Sequence, residues 1–257
     1  MTVDRRRVRA LARRLERHFG ELRPPRASDP LDELILTVQS QHTSDLNAER
    51  AFGLLRGRYP TWYDVVRAPT GELADTIRSG GLANTKAARI QAILREIHLR
   101  EGRYDLSSLR SRSDEEIAEY LSSLPGVGPK TVAVVMAFAF GRETIPVDTH
   151  VHRVATRLGL VPKTSAERAQ RLLEELVPEE LKTPMHVGMI RLGREICKAG
   201  RPRCEDCPLF ELCPTGPLVL GVARRPSSTS SSAHAADRSG RGESNPRFKL
   251  GKLAFYH

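Results

Sequence analysis

Apolar residues recur along most of this chain three and four positions apart, and strict alternation at every second position is almost absent. That period belongs to helices that bury one face. Val8, Leu11, Leu15 and Phe19 predict an amphipathic N-terminal helix with a basic outer face. Further helices are predicted over 31–38, with Ser28 or Asp29 as the cap before Pro30, and over 47–55 and 86–99. In the last of these, Ala87, Ile90, Leu94 and Ile97 share one face. A helix at 114–124 points Ile117, Tyr120, Leu121 and Leu124 inward. The run 131–140 is apolar all round, which reads as a buried helix, and Pro129 suits its first position. Helices over 149–158 (capped by Asp148), 166–177 and 183–197 complete an all-α chain. From about Leu218 the pattern stops. The stretch 226–242 is rich in serine and small residues and is expected to be disordered.

Between the helices at 114–124 and 131–140 lies Leu124-Pro125-Gly126-Val127-Gly128-Pro129-Lys130. Without Cβ atoms at Gly126 and Gly128 the backbone bends sharply and approaches a ligand closely. A turn that feeds a helix N-terminus presents free amides and the positive end of the dipole to an anion, phosphate above all. Lys130 sits in that first turn, where the dipole disfavours its charge. The position suits an amine that must be partly neutral and nucleophilic.

A chain of 257 residues holds one large or two modest domains. Its 41 basic against 31 acidic residues give a net charge of +10, and the pI is about 9.9. Such an excess favours an acidic polymer over a small neutral metabolite; the plainer reading is an arginine-rich soluble surface. No segment approaches the roughly 20 apolar residues needed to span a bilayer. The arginine-rich N-terminus lacks the apolar core of a signal peptide. The expected location is the cytoplasm, where thiols stay reduced.

All four cysteines, Cys197, Cys204, Cys207 and Cys213, follow the pattern C-x6-C-x2-C-x5-C. Clustered thiols in a reducing compartment suggest a metal centre. Structural zinc sites usually pair two short hooks across a longer gap, and only one Cys-x-x-Cys is present here. Four thiolates also hold iron–sulfur clusters, although this spacing is not a ferredoxin run. Both fillings stand on spacing alone.

The segment 124–148, with its hairpin, Lys130 and then Val147-Asp148-Thr149-His150, resembles the helix-hairpin-helix glycosylases of base excision DNA repair. The likeness is strongest to the endonuclease III family, and it extends over roughly residues 5–215. It implies a six-helix domain at 29–142 inserted into a second, iron–sulfur domain formed by 1–28 and 143–216, with 217–257 as a tail. It implies a [4Fe-4S] cluster on the four cysteines, with zinc as the minor alternative. It also implies a monomer that binds double-stranded DNA carrying a damaged base or an abasic site.

The same resemblance implies that Lys130 is the Schiff-base lysine and Asp148 the catalytic carboxylate of a bifunctional glycosylase and lyase for oxidised pyrimidines. Plainer roles are phosphate binding for Lys130 and helix capping for Asp148. The alternatives for the whole chain are a monofunctional glycosylase for mismatched or alkylated bases and a non-catalytic DNA-binding iron–sulfur protein. Ser40-Gln41-His42-Thr43-Ser44-Asp45 resembles the family segment that fills the gap left by the flipped nucleotide, with His42 where asparagine is usual. Gly81-Leu82-Ala83-Asn84-Thr85-Lys86-Ala87 resembles the segment whose Leu82 would wedge against the opposite strand. Gly80 and Ser122 depart from residues some relatives carry, which bears on lesion range. His150 and His152 read as packing or phosphate contacts. Lys198, Arg201 and Arg203, on the loop between the first two cysteines, would meet DNA phosphates or merely solvate the cluster. The tail at 247–257 reads as a basic DNA contact or as an extension without a role.

Overall fold

The computed structural model describes residues 4–22 and 28–222, and these hold twelve α-helices and no β-strand. In chain order they are α1 (Arg5–Phe19), α2 (Pro30–Ser40), α3 (Asp45–Arg58), α4 (Trp62–Arg67), α5 (Thr70–Thr76) and α6 (Ala83–Glu101). They continue with α7 (Asp114–Ser122), α8 (Pro129–Phe138), α9 (Thr149–Arg157), α10 (Ala166–Leu176), α11 (Lys182–Glu195) and α12 (Gly216–Leu220).

Local chemistry explains most of the boundaries. Asp29 accepts the amides of Leu31 and Asp32, both at 3.0 Å, and so starts α2. Ser113 and Glu116 form a reciprocal capping box at α7. Asp148 accepts the Val151 amide at 2.7 Å and starts α9. Each such cap is worth about 1 kcal/mol. Gly102, in the left-handed region, ends α6.

Two clusters of buried apolar side chains divide the molecule. One gathers α2 to α8 around residues such as Ile35, Leu55, Ile90, Leu94 and Leu121. The other joins Val8, Leu11 and Leu15 of α1 to Val151, Val154, Leu173, Met185, Ile190 and Leu209. Helix α8 serves both: Val132, Val135 and Met136 face the first, while Val134, Ala137 and Phe138 face the second. This two-sided burial is the reason its sequence is apolar all round. Burying each aliphatic side chain contributes roughly 1.5–3 kcal/mol, so a charge at Val135 would break the wall between the clusters. Helix α11 packs closely on its neighbours through two glycines. A Cβ at Gly188 would lie 2.9 Å from Leu15, and one at Gly193 would lie 2.9 Å from His150.

The structure adds detail to the sequence expectations. The stretch between α3 and α6 contains two short helices, split at Pro69, that the apolar periodicity does not single out. Beyond residue 216 the chain forms α12, with Gly216 and Pro217 buried against the cysteine region. The segments 226–242 and 247–257 lie outside the described residues. On α1 the basic face is partly a set of ties: Arg7 donates to the carbonyls of Leu158 and Leu212, and Arg14 pairs with Glu211.

Candidate active site and cysteine centre

The loops between helices converge on one groove of about 730 Å³. Its walls include Gln41, His42, Asp45, Lys130, Asp148, His150 and Arg194. Lys130 projects from the first turn of α8 and is exposed; Asp148 stands at the N-cap of α9 and is partly buried. Two helix N-termini therefore aim their positive ends at the same space, beside an amine and a carboxylate. An anionic substrate is favoured there on both counts.

In the hairpin the two glycines differ. Gly126 adopts φ +70°, a conformation that favours glycine, and a Cβ there would also push the Arg89 side chain aside, its Nε lying 2.3 Å away. Gly128 is ordinary extended backbone at φ −98°, with open space beside it, and forms the N-cap of α8. The sharp turn is thus the work of Gly126 alone, while Gly128 leaves the approach to the α8 amides clear.

Among the described non-glycine residues only His42 (φ 56°) and Leu82 (φ 48°) lie in the left-handed region. Both are exposed, Leu82 at 58%. An apolar side chain held out into solvent on strained backbone is a functional hint, since such strain persists only where the surroundings enforce it. Gln41 is less free than His42. Arg89 Nη1 donates to its Oε1 at 2.7 Å, and its Nε2 donates to Thr131 Oγ1 at 3.3 Å. Gly80 is tightly packed, since a Cβ would meet Gln39 Oε1 at 3.0 Å and Ala51 Cβ at 3.1 Å. Ser122 is exposed, and its hydroxyl donates to the Glu119 carbonyl.

His150 is half-buried against Arg153 and Gly193. Burial keeps it below the usual histidine range; Arg153 and Arg194 add to this and Asp148 opposes it. Arg153 Nη2 lies 3.2 Å from His150 Nδ1. A hydrogen bond with the Gly193 backbone works with Asp148 against the burial. His152 faces elsewhere, with Nε2 2.8 Å from the Thr164 carbonyl.

Sequence reasoning missed three residues of this region. Asp45 and Arg194 pair directly at the groove, and Lys86 is buried against the carbonyls of Gln39 and Gly80. Asp45 and Lys86 stood inside recognised segments; Arg194 carried no signal, because its partner lies 149 positions away.

The four cysteines line a second cavity, with Arg157, Phe210 and Val219 among its other walls. All are free thiols and partly buried. Burial pushes Cys207 up to about 11 and also raises Cys204, with the neighbouring thiols adding to both. Arg157 Nη1 lies 3.3 Å from Cys197 Sγ and 2.7 Å from the Lys198 carbonyl. Among the described residues no three His, Cys, Asp or Glu side chains converge as one metal ion requires. Four thiols on one cavity are a donor set for a metal centre. On the connecting loop, Arg203 turns back to the Glu195 carbonyl and Asp206. Lys198 and Arg201 are exposed and form no ion pair among the described residues.

Comparison with known proteins gives consistent matches. Residues 35–179 match the HhH-GPD superfamily, described as base excision DNA repair proteins. Endonuclease III of Thermotoga maritima is 37% identical, covering 80% of this chain and 92% of its own. Endonuclease III of Bacillus subtilis is 36% identical, covering 74% and 83%. A solved structure of a trapped endonuclease III–DNA covalent intermediate superposes with a TM-score of 0.74 at 32% identity. It covers 85% of this chain and 100% of the other.

Proposed function

We propose a function from the premise that this chain belongs to the HhH-GPD superfamily of base excision DNA repair proteins, in its endonuclease III branch. It is a DNA glycosylase and abasic-site lyase. Its substrate, in our reading, is an oxidised pyrimidine in duplex DNA, bound by the protein as a monomer. Among the described residues no helix is long and apolar enough to cross a membrane.

The observation that carries the reading is the shared groove. Lys130 at the start of α8 and Asp148 at the start of α9 line it together with His42. The base stacked in the duplex must first be extruded. Lys130 Nζ then attacks C1′ of the damaged nucleotide, and the glycosidic pair of electrons leaves with the base, which takes up a proton. The sugar ring opens as the amine loses a proton, giving an imine between Nζ and C1′. Loss of a C2′ proton and cleavage of the C3′–O bond complete β-elimination, with the phosphate as leaving group. Asp148 stabilises the positive charge on the sugar and moves protons at the amine. His150 lines the same groove and offers a polar contact to DNA. Gly126, Gly128, Lys198 and Arg201 position DNA phosphates, with Arg203 a weaker candidate because of its internal contacts. His42 and Leu82 fill and brace the duplex, with Gln41 holding the base of that loop.

Cys197, Cys204, Cys207 and Cys213 would hold a [4Fe-4S] cluster. A donor set of four thiols on one cavity, in the C-x6-C-x2-C-x5-C spacing that resembles the endonuclease III family's, supports this over zinc. The group would supply a rigid cross-link for the loop and a one-electron centre.

The test is cleavage of labelled duplexes carrying thymine glycol, uracil or an abasic site, against an undamaged control. Cuts at thymine glycol and at the abasic site, and not at the control, are expected. Cutting at none of them would overturn the reading.

A further inference from the structure

Two segments carry the exposed residues His42 and Leu82, and one buried cation ties them together. Lys86, in the first turns of α6, is 2% exposed. Its Nζ donates to the Gln39 carbonyl at 2.6 Å and to the Gly80 carbonyl at 2.7 Å. Burying an ammonium is costly unless it is hydrogen-bonded, and no step of the cleavage chemistry uses this one. Its two acceptors have a common feature. Gln39 precedes His42 by three residues and Gly80 precedes Leu82 by two, and His42 and Leu82 are the described non-glycine residues with positive φ.

One turn further along α6, Arg89 continues the same face. It donates to Gln41 and lies against Gly126 of the hairpin. Two cations on one helix thus reach the 39–42 loop, the 78–82 loop and the hairpin. Burial, and next the charge of Arg89, push Lys86 down to about 8. An amine keeps at least two N–H donors in either protonation state, so both bonds survive on each side of that value.

We propose that Lys86 is a positioning residue for nucleotide extrusion. By holding the Gln39 and Gly80 carbonyls on one ammonium, it fixes the spacing between His42 and Leu82, so that the two enter the duplex in register. This rests on the DNA-repair reading above. The tie matters where a nucleotide must be drawn out of a stacked duplex, and not where the strand is already single.

The experiment compares the wild type with Lys86→Met, which keeps the apolar stem and removes the donors. Single-turnover lyase rates are measured on one abasic strand, once in a duplex with 2-aminopurine opposite the site and once alone. In the variant the 2-aminopurine fluorescence rise should be largely lost. The duplex rate should fall about 10- to 100-fold, as small misplacements do, with little change on the single strand. Equal slowing on both substrates, or an unchanged fluorescence rise, would overturn the proposal. A wild type inactive on both strands would instead refute the repair reading. Should Lys86→Met not fold, Gly80→Ala crowds the Gln39 side chain and Ala51 at the other end of the tie and should show the same selective loss; equal slowing on both substrates, or a wild-type profile, would overturn the proposal.

Discussion

Asp45, the first residue of α3, forms an ion pair with Arg194 in the last turn of α11. The two helices belong to different apolar clusters, and both residues line the groove that holds Lys130 and Asp148. The side chains are 25% and 26% exposed. The pair therefore fixes how the two halves of the molecule meet at the groove.

Arg194→Met should lower stability by about 1–3 kcal/mol, between the values typical of exposed and buried pairs. Urea unfolding of Arg194→Met, Asp45→Asn and the double variant measures it. The double variant should lose less than the sum of the two single ones. Simple additivity would mean that the pair contributes nothing.

Asp148 combines a structural and a chemical role, and two substitutions separate them. Asparagine also caps helices, so Asp148→Asn should stay within roughly 0.5 kcal/mol of the wild type, whereas Asp148→Ala should lose about 0.5–2 kcal/mol. Strand cleavage should fall in both by at least about 100-fold. Wild-type cleavage by Asp148→Asn would restrict the residue to capping.

Much of this arrangement is readable in the sequence, because it depends on neighbours in the chain. The Asp29 and Asp148 caps, the Gly126 turn and the apolar faces of α6 and α7 are local, and each stands as the pattern predicts. The short helices α4 and α5 escape a search for long periods because each lasts fewer than eight residues. Long-range partners are invisible for another reason. Nothing near Arg194 announces Asp45, and a lysine at position 86 reads as solvent-exposed until the Gln39 and Gly80 carbonyls are brought over it. The ties from Arg7 and Arg14 to the cysteine region are hidden in the same way within a face that looks merely basic.

Lys86 also predicts a pH dependence. Its folded value of about 8 lies below the ordinary lysine value of 10.5. Between the two, the unfolded chain keeps a proton that the folded chain has lost, so stability gains with rising pH across this window. The stability of the wild type relative to Lys86→Met should therefore be flat below about pH 7 and increase toward pH 10. Denaturant midpoints of both proteins across that range provide the check. A constant difference would contradict the burial of this charge.

Loss of one thiol should release the proposed cluster. Cys207→Ser is expected to lose the brown absorbance and most of the iron found by metal analysis, and to melt at lower temperature. Zinc at one per wild-type chain, with no iron, would replace the cluster by a mononuclear site.

The central claim is that Lys130 forms the covalent bond to DNA, and borohydride trapping tests it most directly. Purified protein is mixed with an abasic duplex and borohydride, and the adduct is digested and mapped by mass spectrometry. The account predicts a stable protein–DNA adduct at Lys130, absent from Lys130→Gln although that variant still binds the duplex. An adduct of wild-type yield in Lys130→Gln, or mapping to another amine, would contradict it.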